Sequence, residues 1–247
     1  MKNLKLLLIG SLLLLFSLNA NAVSIAYVNA SGGNVDYLNS YGHTVSYLNN
    51  PIGLTLADLS GYEAVMVASN SIFTEGTNIG NVLADFVDAG GALVMTEFVY
   101  QGVWALGGRV MTSGYSPFTI DPLSSGYYIN STLGTIYDPA SDLFAGVNTA
   151  NVGTNYQANV GLDTGAALVA DWDSLRHALA YNALVDSTIV GLNLFPGIVP
   201  NADTQRLVAN AIDFSVNNVS VPEPPTLALI SLGLLGLGYR RKKTLSC

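Results

Sequence analysis

A chain of 247 residues has room for one domain of ordinary size with a proper core and for short processing segments on either side of it. Its single cysteine, Cys247, is the last residue, which excludes a disulfide framework and a cysteine nucleophile from the body of the protein. Charge is sharply partitioned: residues 23–218 hold three arginines, no lysine and sixteen acids, a net of −13, and a surface of that sign repels phosphate backbones, so nucleic acid is not an expected partner.

The first predicted element is a secretory signal over residues 1–22: Lys2 and Lys5, an apolar stretch from Leu6 to Leu18, then Ala20-Asn21-Ala22 as a small-residue cleavage site. A mature chain is expected from Val23. No cysteine follows that site, which argues against lipoprotein export. Beyond it, SIAYVNA (24–30) reads as a strand, GGNVDYLNSYG (32–42) as a turn and short helix, and HTVSYLN (43–49) as a second strand. YEAVMVAS (62–69) contains the unbroken apolar run Ala64 to Ala68, as expected of a strand covered on both faces. Ile79, Val82, Leu83, Phe86 and Val87 share one helical stripe, Gly90-Gly91 supplies a left-handed stop, and ALVMTEF (92–98) is the next strand. Residues 99–160, rich in Gly, Tyr, Ser, Asn and Pro, read as long loops with room for a hairpin. Strands return at 165–173 and as a pair through 180–194, and a last helix from about Asn201 places Leu207, Val208, Ala211 and Ile212 on one face. Strand–helix alternation at this spacing predicts a parallel α/β sheet.

The chain then reaches Val221-Pro222-Glu223-Pro224-Pro225, extended because three prolines lack amide donors. An uncharged run over 227–239 follows, shorter than the roughly 20 residues that span a bilayer comfortably, and Arg240, Arg241, Lys242 and Lys243 stop it on the cytoplasmic side. This order, Pro222-Glu223-Pro224, short apolar helix, basic cluster, resembles the PEP-CTERM sorting signal of Gram-negative bacteria. The resemblance implies recognition by an exosortase, a membrane cysteine transpeptidase. It also implies transient anchoring in the inner membrane, cleavage near the motif, and transfer to the cell surface or extracellular matrix. The domain plan is therefore a signal peptide (1–22), an α/β domain (23–218) and a sorting segment (219–247).

The α/β domain itself resembles the class I glutamine-amidotransferase-like superfamily in YEAVMVASNS, NVLADFVDAGGALVMTEF, STIVGLNLFPG and ADTQRLVANAIDF. That implies a flavodoxin-like three-layer sandwich with a mostly parallel sheet. In that superfamily the nucleophilic cysteine sits on a strained turn after the strand that follows the first long helix, and by position Glu97 stands at or near its place. A glutamate cannot form the thioester that splits glutamine, so glutaminase chemistry is disfavoured. The glycine-rich oxyanion loop of the superfamily aligns with Ala68-Ser69-Asn70-Ser71, which also departs from the pattern.

Catalytic candidates are accordingly thin: Glu97, with His177 or His43 as its partner. Ser69, Ser71 and Ser113 lack a Gly-Xaa-Ser-Xaa-Gly elbow. Asp163-Thr164-Gly165 lacks the paired copy of an aspartic protease and reads as a polar turn. Asp171-Trp172-Asp173 offers two carboxylates but no further oxygen ligands at loop spacing, so no metal and no cofactor is expected. An aromatic group, Tyr100, Trp104, Tyr115, Phe118, Tyr127 and Tyr128, follows the fourth strand, on the side where open sheets bind ligands. Of these, Trp104, Tyr115 and Tyr127 are candidates for stacking on an exopolysaccharide, against a structural role as a packed lid. The leading expectation is an exported surface or matrix protein with a non-catalytic binding or structural domain. The alternatives are an extracellular hydrolase using Glu97 with a histidine, and an exopolysaccharide-binding module.

Overall fold

A computed structural model of the chain describes residues 22–121, 127–139 and 141–218. The predicted signal segment up to residue 21 and the sorting segment 219–247 lie outside the described residues. Among the described residues no helix is long and apolar enough to cross a membrane.

The domain is a three-layer α/β sandwich around an eight-stranded sheet in the order β2-β1-β3-β4-β10-β9-β8-β6. Strands β1 (Ser24–Ala30), β2 (Thr44–Asn49), β3 (Ala64–Ser69), β4 (Ala92–Thr96) and β10 (Thr188–Leu192) run parallel, in the flavodoxin-like order. Strands β9 (His177–Ala183), β8 (Ala167–Trp172) and β6 (Leu133–Ile136) extend the sheet antiparallel. A second sheet of β5 (Tyr127–Ser131) and β7 (Gly153–Gln157) stands apart.

Strand alternation explains the layers. Ile25, Tyr27, Met66, Val94 and Val190 face a core completed by Leu38 and by Leu207, Val208, Ala211 and Ile212 of α3 (Ala202–Asn217). Their neighbours Ala26, Val28, Val65, Val67, Leu93 and Ile189 face the opposite core, filled by Ile79, Leu83 and Phe86 of α2 (Gly76–Asp88) and by Leu59 of α1 (Leu56–Leu59). Burial on both faces is why these strands read as continuous apolar runs.

Helix ends follow local chemistry. Thr55 and Asp58 form a reciprocal capping box on α1, and the Asn201 side chain accepts the Thr204 amide at 3.0 Å at the start of α3. Helix α2 stops where Gly90 turns left-handed at φ +89°, with Gly91 N–H donating to the Phe86 carbonyl at 2.9 Å.

Three segments depart from the sequence expectation. The 32–42 helix is a 3-10 turn over Asp36–Tyr41. The strand expected to run to Phe98 ends at Thr96, because Glu97–Tyr100 coil into a 3-10 turn once past the sheet. Residues 99–160 contain β5, β6 and β7 as well as loops, and Gly191 of β10 shows how they dock. A Cβ on Gly191 would lie 2.8 Å from the Phe118 ring and 3.0 Å from the Tyr100 hydroxyl, so only glycine lets this segment lie flat on the strand.

Candidate functional site

The carboxyl edge of the parallel strands is where open α/β sheets collect ligands, and Glu97 begins the chain's exit from that edge. Its amide donates to the Leu194 carbonyl beyond β10 at 3.2 Å, and the preceding Thr96 hydroxyl donates to Val67 of β3 at 3.0 Å. Glu97 is thus pinned to both neighbouring strands.

The carboxyl of Glu97 has no exposed surface. The Gln101 amide donates to its Oε1, while Glu97 Oε2 and Gln101 Oε1 have no hydrogen-bond partner among the described residues. Asp121, equally buried, pairs with Gln101 in a short parallel bridge, and its carboxylate accepts the Asn159 amide at 3.0 Å. Burial first, then the Asp121 charge, push the Glu97 carboxyl well above the usual carboxylate range, and the Gln101 hydrogen bond only partly opposes them. The buried surroundings of Glu97 therefore favour its neutral form.

Neither histidine joins it. Among the described residues no hydrogen bond links Glu97 to a histidine; His177 Nδ1 instead lies 2.7 Å from Asp171 Oδ1. The ring of His177 stacks parallel to Phe118 at 6.4 Å. His43 sits at the opposite, amino edge, buried before β2, with Nε2 3.9 Å from Asp213 on α3. Burial lowers the His43 pKa, and the Asp213 carboxylate works against that shift.

The remaining carboxylates serve local structure. Asp171 accepts the Tyr137 hydroxyl at 2.6 Å, Asp173 accepts the Thr132 hydroxyl at 2.9 Å, and Asp163 accepts the Thr164 amide at 2.6 Å within its turn. No cluster of three or more His, Cys, Asp or Glu side chains suited to a metal occurs among the described residues. Ser69 donates to the Trp104 carbonyl at 3.1 Å, Ser71 lies 3.4 Å from the Ser31 hydroxyl, and Ser113 is exposed.

The aromatic candidates separate. Trp104 is half-buried at the carboxyl edge, edge-on to Phe98 at 4.9 Å. Tyr115 lies at the amino edge, donating to Asp88 at the end of α2 at 2.8 Å, with Arg109 above its ring. Tyr127 opens β5, paired with Gln157. Tyr100 and Phe118 are buried and pack edge-on against each other at 5.4 Å. A residue absent from the sequence expectation, Tyr156 of β7, connects the carboxyl-edge rings: it lies 4.8 Å from Phe98 and 4.7 Å from Tyr128. Its signal in the sequence was only a lone tyrosine in a polar stretch. What makes it part of a site is its pairing with Tyr128 across β5 and β7.

With this geometry in place, comparison with known proteins yields two findings. Residues 220–242 match the PEP-CTERM protein-sorting motif, so the chain carries that signal, which in general is recognised by an exosortase and goes with export and membrane-associated sorting. The domain shares its fold with glutamine-amidotransferase-like proteins. A glutamine amidotransferase from Thermotoga maritima is 10% identical with a TM-score of 0.52, over 79% of this chain and 99% of that one. A glutamine amidotransferase from Methylobacillus flagellatus is 9% identical with a TM-score of 0.51, over 83% and 98%. A protein described as ThuA-like from Bacteroides uniformis is 8% identical with a TM-score of 0.58, over 79% and 92%. At such identities the likeness shows the fold alone. No curated protein sequence matches the chain.

Proposed function

We propose that the chain is delivered through the inner membrane of a Gram-negative cell and held there transiently by the apolar run over 227–239. An exosortase then processes it near Pro222-Glu223-Pro224, and it passes to the cell surface or extracellular matrix. There its α/β domain serves in binding or as structure. The observation that carries this reading is the sorting motif over residues 220–242, which joins the prolines, the apolar run and Arg240, Arg241 and Lys242 of the basic cluster in one order. Export of an acidic domain free of cysteine is consistent with it, since such a surface stays soluble and needs no oxidant to fold.

A non-catalytic role is supported by the state of Glu97. A hydrolase relying on Glu97 with His43 or His177 requires the carboxyl to reach a substrate and a histidine to stand beside it, and the buried neighbours of Glu97 are Gln101 and Asp121.

The test is intact-mass and fractionation analysis of the protein in its host, with and without the sorting enzyme. Replacing Pro222-Glu223-Pro224 with alanines is expected to leave an uncleaved form in the inner membrane. Mature material that keeps residues 227–247 whether or not the enzyme is present overturns the reading.

A further inference from the structure

The small sheet of β5 and β7 presents a face that the fold alone does not explain. Tyr128 pairs with Tyr156, and Asn130 with Thr154, so alternation sends all four side chains to one side. Tyr128, Asn130 and Thr154 are exposed and Tyr156 is half-buried, whereas Ser131, Asn155 and Gln157, which point the other way, are buried. Ring contacts continue past the sheet: Tyr128 to Tyr156 at 4.7 Å and 42°, Tyr156 to Phe98 at 4.8 Å and 48°, Phe98 to Trp104 at 4.9 Å and 76°, so successive rings are turned against one another and present separate faces. Phe98 and Phe195 are buried and form the backing, their rings 5.4 Å apart. Asn155 holds that backing in place, accepting the Phe195 amide at 2.9 Å and donating to the Phe195 carbonyl at 3.2 Å. The strip is therefore built before any ligand arrives, which lowers the ordering cost of binding.

Its chemistry selects a ligand class. Rings in series, edged by one amide and one hydroxyl and without a charged side chain, suit a molecule with flat apolar faces and hydroxyls around its rim, which describes a pyranose chain. The net charge of −13 over residues 23–218 repels polyanions. A second protein copy fits poorly. Two strands about 4.8 Å apart and three ring-to-ring steps give a footprint on the order of 10² Å², against about 800 Å² per partner in a stable interface.

We infer that this strip binds a neutral glycan, taking successive sugar rings on Tyr128, Tyr156 and Trp104 while Asn130 and Thr154 bond to hydroxyls. The inference deepens the reading of the domain as an exported binding module and rests on it. The full chain, held in detergent, is run in native gels containing dextran, laminarin, xyloglucan or hydroxyethyl cellulose, with polygalacturonate as the anionic control. At least one neutral glycan is expected to retard the wild type, and polygalacturonate is not. Tyr128→Ala and Trp104→Ala should each weaken retardation about tenfold, and Tyr128→Trp should restore it. Tyr128 is 57% exposed, so its loss leaves the fold intact, which a thermal melt verifies. The inference is overturned by retardation in none of the four neutral glycans, by equal retardation of wild type and Tyr128→Ala, by comparable retardation in polygalacturonate, or by self-association that depends on Tyr128. Failure of the sorting reading appears instead in the mass of the C-terminus, which these gels do not touch.

Discussion

The parallel half of the sheet and the region from Glu97 to Val160 both bury apolar side chains, but the second adds long-range polar bonds to backbone. In the first, β1, β3 and β4 bury nearly every side chain, and α2 and α3 cover them with Leu, Ile, Val and Phe. In the second, asparagines bind backbone across long stretches of sequence. Asn193, fully buried, accepts the Ala158 amide at 2.7 Å and donates to the Ala158 and His177 carbonyls at 2.9 and 2.7 Å. Its own carbonyl accepts the Trp172 indole at 2.9 Å. Apolar packing tolerates some slippage, whereas a polar stitch is satisfied in one geometry only. The glycan strip stands on the stitched region.

The contrast can be broken most forcefully at Asn193. Asn193→Ala strands buried backbone groups of Ala158 and His177, each worth about 1–3 kcal/mol. It should raise amide exchange at residues 153–158 while β3 and β4 stay protected. Leu83→Ala should cost a similar total, about 2–5 kcal/mol, but lower protection across the parallel sheet. Equal loosening everywhere in both variants would erase the distinction.

A smaller effect is expected at the seam between the regions. Because the Glu97 pKa is raised on folding, the native protein keeps a proton that the unfolded chain releases above about pH 4.3, so stability falls as pH rises from there toward the folded value. Glu97→Gln removes that titration and should raise Tm at pH 8 relative to pH 4 by about 2–4 °C, on the order of 1 kcal/mol. An unchanged difference between the two pH values counts against a raised Glu97 pKa.

The smallest effect belongs to the regular half. His43 has a lowered pKa, so the unfolded chain takes up its proton first as pH drops below about 6.5, and stability declines from there until the folded value is passed. His43→Leu should flatten that decline in melts between pH 7.5 and 5.5. Asp213 offsets part of the burial penalty, which keeps the change modest.

The same contrast governs how much the sequence discloses. Ile79, Val82, Leu83 and Phe86 announce α2 because helical periodicity is local, and Ala64 to Ala68 announce a covered strand for the same reason. Nothing local announces β5 or β7, whose ladder joins residues separated by a long intervening stretch, nor the asparagines that bond to backbone 35 or more positions away. Glu97 could be found by its position after the fourth strand, yet its seal depends on Asp121 closing over from a remote turn. Trp104 and Tyr115 looked alike as aromatics in one loop. Only the path of that loop, from Ser69 at one edge to Asp88 at the other, sets them apart.

The exit of α3 gives the molecule a direction. The carbonyl of Asn218, just past the helix, accepts the Thr188 hydroxyl at 3.2 Å where β10 begins, whereas Phe98, Phe195 and Trp104 gather where the central strands finish. A five-residue strand separates the two ends by about 17 Å. The chain thus leaves the domain at the amino edge of the central strands, about one strand length from the aromatic rings at their carboxyl edge.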